Sequence, residues 1–368
     1  MDKKRREAYI NLIGQLLNSP SGEAEKILQT NQELVDEGLL EIMELCAQQL
    51  AENDDQDYQN AANFLHYLRS QLAELLEISE FSPSTNYSLA EYLKFLWEVL
   101  RTTSESKGDS KVVYSLLQQN LDKLDNNFAD ILRTVKFSGV EVDVAKSIAS
   151  NIVCFSDLIQ EFPLGRKANN MEISIAGYEV VLKVFKYKSH RELWAMTQNN
   201  LGIAYTKRIR GDKAQNIESA IAAFQKSLQV HTQTDFPMEW GITKIGISSA
   251  YRERIRGNKT QNIEVAIAAL QQALLVFTQT DFPILWAATK LGFGNAYTKR
   301  IRGDKAQNIE VAIAAFQQAL LVFTQINFPM EWECTQHNLG NAYNVRIRGD
   351  KAQNIEAAIA AFQQALLV

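Results

Sequence analysis

The sequence predicts an all-α protein, with a helical N-terminal region followed by an α-α superhelix of stacked helix pairs. Three observations carry that expectation. The tetrad Arg208-Ile209-Arg210-Gly211 returns at Arg254–Gly257, Arg300–Gly303 and Arg346–Gly349, each step being 46 residues. A fixed period of this size marks a solenoid, in which each unit buries its apolar face against its neighbours. Apolar residues inside each unit recur at helical spacing, and no segment alternates as a strand would. Finally, six prolines and 17 glycines in 368 residues are few, which suits a mostly helical chain.

From the N-terminus, Ala8, Ile10, Leu12, Ile13, Leu16 and Leu17 form a helical stripe that stops at Asn18-Ser19-Pro20. Ser21 is placed to cap a next helix, with Glu23 and Glu25 in its first turn, although Ala24 denies a full capping box. Leu39 to Leu50 and Ala61 to Leu76 continue the helical pattern. Asn53 to Asp57 reads as a polar turn and Phe81 to Asn86 as a linker. A second helical block is interrupted at Thr102 to Ser110 and ends near Phe137-Ser138-Gly139. Gly165 lies 46 residues before Gly211, and Asn170, Glu172, Ala176 and Tyr178 then fall in register with Asn216, Glu218, Ala222 and Phe224. The expected organisation is an N-terminal helical region (1–82), a second helical region with a degenerate first repeat (83–165), and an array (166–368) that ends within a repeat.

Each unit reads as two helices. The first, helix A, runs roughly from Leu193 to Ile209, with Trp194, Leu201, Tyr205 and Arg208 near one face. Gly211 sits where a left-handed cap is wanted, and Lys207, Arg208 and Arg210 suit the negative end of the helix dipole. Helix B is expected to be capped by Asn216, with Glu218 in its first turn. Ile217, Ala220, Ile221, Phe224 and Leu228 give its apolar stripe. Asp235-Phe236-Pro237 restarts helix A with proline in the first turn.

Leu201-Gly202-x-x-Tyr205, then Ala220-x-x-x-Phe224-x-x-Ser227, then Pro237, resembles the tetratricopeptide repeat, whose usual period is 34. The longer unit is read as lengthened helices. Gly294 and Gly340 repeat the glycine, and Ala266, Ala312 and Ala358 repeat the alanine. The second unit departs, with Ser248 for the glycine and Leu270 for the phenylalanine. The resemblance implies a right-handed superhelix. Ala8-Tyr9-Ile10-Asn11-Leu12-Ile13, Asn18 to Glu23, Ala61 to Leu65, Leu121 to Asp125 and Gly177 to Leu182 further resemble cyanobacterial tetratricopeptide proteins that continue into a caspase-like CHAT domain. No such domain fits within these residues.

The composition excludes several functions. Apolar residues are 46% and charged residues 22%, ordinary for a soluble folded chain. No apolar run long enough to span a bilayer occurs, and the N-terminus lacks the apolar core of a signal peptide. Three widely spaced cysteines make no disulfide framework, so a cytoplasmic setting is expected. Net charge is −5 but uneven: 13 Lys/Arg against 23 Asp/Glu in 1–140, and 25 against 20 in 141–368. Cys334 and His337 are spaced like a reactive pair. They occupy slots filled by Met196, Ile242 and Ala288, and by Asn199, Ile245 and Leu291, which favours packing. Cys46 and Cys154 sit in apolar helical patterns. No phosphate loop, metal-spaced cluster or nucleophile elbow is seen, so no catalysis, cofactor or metal is expected. The arginine rows read either as an electropositive stripe or, preferably, as dipole complements paired with the Asp212, Asp304, Asp350 or Glu218 rows of neighbouring units.

The expected function is therefore a protein-interaction scaffold without catalytic activity. The alternative is the recognition or regulatory part of a caspase-like protease whose catalytic domain lies in cis or in trans. Mapping the repeat pattern onto the concave face selects Asn199, Ile203, Thr206 and Lys207, then Ser249, Arg252 and Glu253, then Asn295, Thr298 and Lys299, then Asn341 and Asn344. The partner expected there is a protein or extended peptide, since an asparagine amide both donates and accepts. Neither nucleic acid nor membrane is expected. The last residues, Leu366-Leu367-Val368, align with Leu320-Leu321-Val322, inside helix B. A chain that continues further, or self-association through the uncapped last repeat, is the expectation that follows.

Overall fold

The computed structural model describes residues 3–18, 27–28, 30–51, 61–62, 64–65, 68–69, 72 and 87–367. Among them lie fifteen α-helices and no strand. None of these helices is long and apolar enough to cross a membrane. The chain divides into two compact units, Met1–Leu158 and Ile159–Val368. The expectations for Ser21, for Asn53–Asp57 and for the linker at Phe81–Asn86 lie outside the described residues.

In the first unit, α1 (Lys3–Asn18) packs on α2 (Glu37–Ala51). Tyr9, Leu12, Ile13 and Leu16 meet Leu39, Ile42, Met43 and Ala47 in one buried cluster. Further along come α3 (Leu89–Glu105), α4 (Ser110–Gln118), α5 (Asn126–Thr134) and α6 (Val142–Glu161). The break expected at Thr102–Ser110 narrows to Ser106–Asp109: α3 continues to Glu105, and Asp109 caps α4 by accepting from Lys111 N. Phe95, Phe128 and Phe155 stack into the core of this block.

A motif occurs twice in this unit that the sequence reading did not find. Tyr9 Oη donates to Asp36, and Tyr92 Oη donates to Asp125, both at 2.6 Å. Each aspartate also accepts from a backbone N–H three residues on, Leu39 or Phe128. A short 3-10 turn precedes each aspartate, at Gln32–Leu34 and Leu121–Lys123. Before each turn an asparagine, Asn31 or Asn120, closes the preceding helix by donating to a carbonyl four residues back.

The second unit is the repeat array. It opens with α7 (Lys167–Val181), followed by four A–B pairs. These are α8 (Arg191–Lys207) with α9 (Lys213–Ser227), α10 (Pro237–Glu253) with α11 (Lys259–Ala273), α12 (Pro283–Thr298) with α13 (Lys305–Ala319), and α14 (Pro329–Asn344) with α15 (Lys351–Ala365). Each helix touches its own partner and its neighbours in the stack, the arrangement expected of an α-α solenoid. Pro237, Pro283 and Pro329 each open a helix A, where the missing N–H costs nothing.

The A–B turn is built the same way each time. Gly211, Gly257, Gly303 and Gly349 take φ of 76 to 83°, a conformation glycine adopts without strain. Gly165 does the same at φ 78°, so the register read for the degenerate first repeat holds. The expected cap of helix B is corrected. Asp212, Asn258, Asp304 and Asp350 are the N-caps, accepting from the backbone N–H three residues on. Asn216 is instead buried inside the helix, and its amide donates back to Arg210 O at 2.7 Å. Asn170, Asn262, Asn308 and Asn354 make the matching bond. The cap stands four residues before the buried amide, where a short oxygen-bearing side chain reaches the first-turn N–H, and in three of the four units its negative charge also suits the helix N-terminus.

Close approach explains the small residues. A Cβ on Gly202 would lie 2.7 Å from the Phe224 ring, and one on Gly246, in the next unit, 2.5 Å from the same ring. Phe224 is thus clamped between two A helices. Gly294 and Gly340 meet Phe316 and Phe362 likewise. The second unit's departure is compensated: Ser248 adds a side chain where Leu270 has replaced the ring.

Candidate functional site

The arginine rows separate into two classes. Arg208 places Nε and Nη2 on the two carboxylate oxygens of Glu172, both at 2.7 Å. Arg254 repeats this on Glu218, Arg300 on Glu264 and Arg346 on Glu310, at 2.8 to 2.9 Å. Each pair joins the end of one helix A to helix B of the preceding unit. The guanidinium also lies over the ring of Tyr205, Tyr251, Tyr297 or Tyr343. The hydrogen bonds from arginine hold the carboxyls of Glu218, Glu264 and Glu310 below their ordinary value. This row is structural and offers a ligand little. In the Arg210 row, Arg210 donates to Asn169 Oδ1 at 2.5 Å and Arg256 to Gln215 Oε1 at 3.3 Å.

The predicted groove residues fall along the A helices, and the structure gives them different circumstances. Asn199 is buried: Thr243 Oγ1 of the next unit donates to its Oδ1 at 3.0 Å, so its amide serves helix contact. Ile203 packs at the edge of the apolar cluster around Phe224. Thr206 donates back to Gly202 O. Lys207 pairs with Glu161 at 2.8 Å, and Lys299 with Glu253 at 3.3 Å. Glu253 also faces Arg252 Nε at 3.5 Å. Burial raises the Glu253 carboxyl, yet Lys299 and Arg252 together hold it below the usual range. Ser249 is half-buried and Asn344 exposed, and neither side chain is hydrogen-bonded.

Five predicted residues come together. Arg252, Asn295, Thr298, Lys299 and Asn341 line a cleft of about 410 Å³, with Phe316, Asn338 and Val345. The last three were missed by the sequence reading. A signal for Asn338 existed: it stands one and two units after Gly292 and Gly246, in the row that lets helices A and B touch. Leu339 and Ala342 of the fourth unit still pack on Phe316, while the two A helices there touch less than at earlier junctions. Neither Asn295 nor Asn341 has a hydrogen bond on its side-chain amide. Arg252 Nε is buried, and its contact with Glu253 at 3.5 Å is an ion pair and not a well-formed hydrogen bond. Thr298 is satisfied by Asn295 O, and Asn338 donates weakly to Cys334 Sγ.

Cys334 and His337 do not form a reactive constellation. The His337 ring packs near Phe362. Desolvation, with help from the carboxylates of Glu333 and Glu331, raises the Cys334 thiol above its ordinary value, the wrong direction for a nucleophile. Burial raises the thiols of Cys46 and Cys154 too. Among the described residues no group of three or more His, Cys, Asp and Glu is arranged to hold a metal ion. Compared with known proteins, the chain matches no family model and no curated relative.

Proposed function

We propose that this chain is a protein-interaction scaffold of the tetratricopeptide kind, without catalytic activity of its own, and that the cleft between its third and fourth units holds an extended peptide. One observation carries this reading. Asn295 and Asn341 present amides with no hydrogen bond in the fold to a cleft that Arg252 also lines, backed by Phe316 and edged by Val345. Polar groups in a partly enclosed surface are normally satisfied, so a partner that supplies alternating donors and acceptors fits. A peptide backbone is such a partner. The neighbouring charges are largely cancelled by Glu253–Lys299, which leaves amide recognition dominant over charge. Nucleic acid is not the proposed ligand, since the Arg208 row is engaged with carboxylates. Free cysteines accord with the cytoplasmic setting we propose.

A displayed library of short peptides, selected on the purified chain, tests the reading. The selected peptides are expected to bind the double variant Asn295→Ala, Asn341→Ala about tenfold more weakly or worse. Its thermal melt should stay unchanged, because neither amide bonds within the fold. Equal affinity for the double variant would remove the cleft as the binding site.

A further inference from the structure

The A–B turns stack along one edge of the array and carry a surface that the cleft does not use. Almost every residue of the turn has work in the fold. The Arg208 row bonds the preceding unit, the Gly211 row supplies positive φ, the Asp212 row caps helix B, and the Asn216 row ties back to the turn. The isoleucine does not. Ile209, Ile255, Ile301 and Ile347 are 60, 63, 58 and 58% exposed, and none belongs to a core cluster. The A helices differ freely between units at surface positions, as Ile203, Ser249, Asn295 and Asn341 illustrate, yet this apolar side chain is present in all four turns.

The same edge concentrates positive charge. Residues 207–213, 253–259, 299–305 and 345–351 hold 14 Lys/Arg and four Asp/Glu. Five carboxylates outside the turns, Glu161 and the partners of the Arg208 row, offset part of this and leave an excess of five. Arg210 is held by Asn169 Oδ1 at 2.5 Å, but the three arginines after it are looser: Arg256 reaches Gln215 at 3.3 Å, Arg348 reaches Asp304 only at 3.9 Å, and the Arg302 side chain has no hydrogen bond or ion pair among the described residues. Exposed Lys259, Lys305 and Lys351 follow them.

We propose that this edge is a second interaction surface, which binds an acidic amphipathic helix of a partner protein. The helix would carry an apolar side chain every seventh residue with Asp or Glu beside it. Neighbouring A helices pack directly on one another, so the turns repeat at about 8–10 Å. Seven residues of α-helix advance about 10.5 Å, close to that spacing. Isoleucine set among arginines suits apolar contact flanked by carboxylates. It does not suit a phosphate backbone, which offers four isoleucines nothing to bury against.

The test uses the full chain and a fluorescent helical peptide of about 28 residues, four heptads long, with Leu at one position and Glu at its neighbours. Binding is expected, and it should weaken about tenfold or more in the quadruple variant Ile209→Ser, Ile255→Ser, Ile301→Ser, Ile347→Ser. That variant should melt like the parent, because all four side chains face solvent. The Asn295→Ala, Asn341→Ala variant should bind this peptide normally, which separates failure here from failure of the cleft. Three results would overturn the proposal. One is no binding by the parent chain. Another is equal binding of the serine variant, or of a peptide with its leucines replaced by serine, since either means charge alone acts. The third is isoleucine-dependent co-sedimentation with phosphatidylglycerol–phosphatidylcholine vesicles by a chain that ignores the peptide, which would make the edge a lipid surface.

Discussion

Arg254 and Glu218 stand for the contact that recurs most regularly in this protein. Their side chains are 26 and 22% exposed, between a surface pair and a buried one. Two parallel hydrogen bonds and the Tyr251 ring fix the guanidinium, a geometry that lysine cannot reproduce. Arg254→Ala should lower stability by about 1.5–3 kcal/mol, the range for hydrogen bonds to charged groups. Glu218→Ala should do the same, and the double variant should cost clearly less than the sum. Denaturant titration of the four chains measures the cycle; strict additivity would mean that the pair contributes nothing as a pair. Both readings of the arginine rows were legible from their positions. The structural reading was already preferred there, and the structure selects the glutamate 36 residues back over the aspartates as the partner of the Arg208 row.

Helices A and B meet through glycine and an aromatic ring, and the second unit has already tried the substitution. There Ser248 stands at the glycine position and Leu270 at that of the ring. In the third unit a Cβ on Gly294 would lie 2.5 Å from Phe316. Gly294→Ser alone should therefore destabilise by about 1–3 kcal/mol through overpacking. Adding Phe316→Leu should recover part of that loss, although the leucine costs stability in the parent background. Thermal melts of the two single variants and the double variant check this. A double variant as poor as the sum of the singles would contradict the clamp.

Across the stack, three acidic ties have lowered carboxyl pKa values, those of Glu218, Glu264 and Glu310. A carboxyl whose folded pKa lies below its unfolded value contributes stability that is complete above the unfolded pKa. The contribution is lost as pH falls through the folded value. The unfolded value here is about 4.5, so the array should hold its stability at neutral pH and weaken progressively below that point. The triple variant Arg254→Ala, Arg300→Ala, Arg346→Ala removes the arginine hydrogen bonds that depress all three. Its melting temperature should start lower at pH 7 and fall less steeply in acid than that of the parent. Parallel acid slopes would place the acid sensitivity elsewhere.

The stacking of helix pairs, the proline starts, the positive-φ glycines and the register back to Gly165 were all legible in the residues. Each is a local signal, repeated at a fixed interval, and repetition reveals positions that a single unit would leave ambiguous. Five of the cleft residues were legible for the same reason. The rest depended on partners distant in the chain. Asp212 rather than Asn216 caps helix B because the turn at Gly211 folds the amide back on Arg210 O. Asn199 is consumed by Thr243, 44 residues on. The paired motif of Tyr9 with Asp36 and Tyr92 with Asp125 joins residues 27 and 33 apart through differing intervening sequence. Asn338 lines the cleft beside Phe316, in a row where the two preceding units place glycine. Periodicity and backbone preference are written residue by residue along the chain. Which side chains satisfy one another is settled only when the helices close on each other and exclude water.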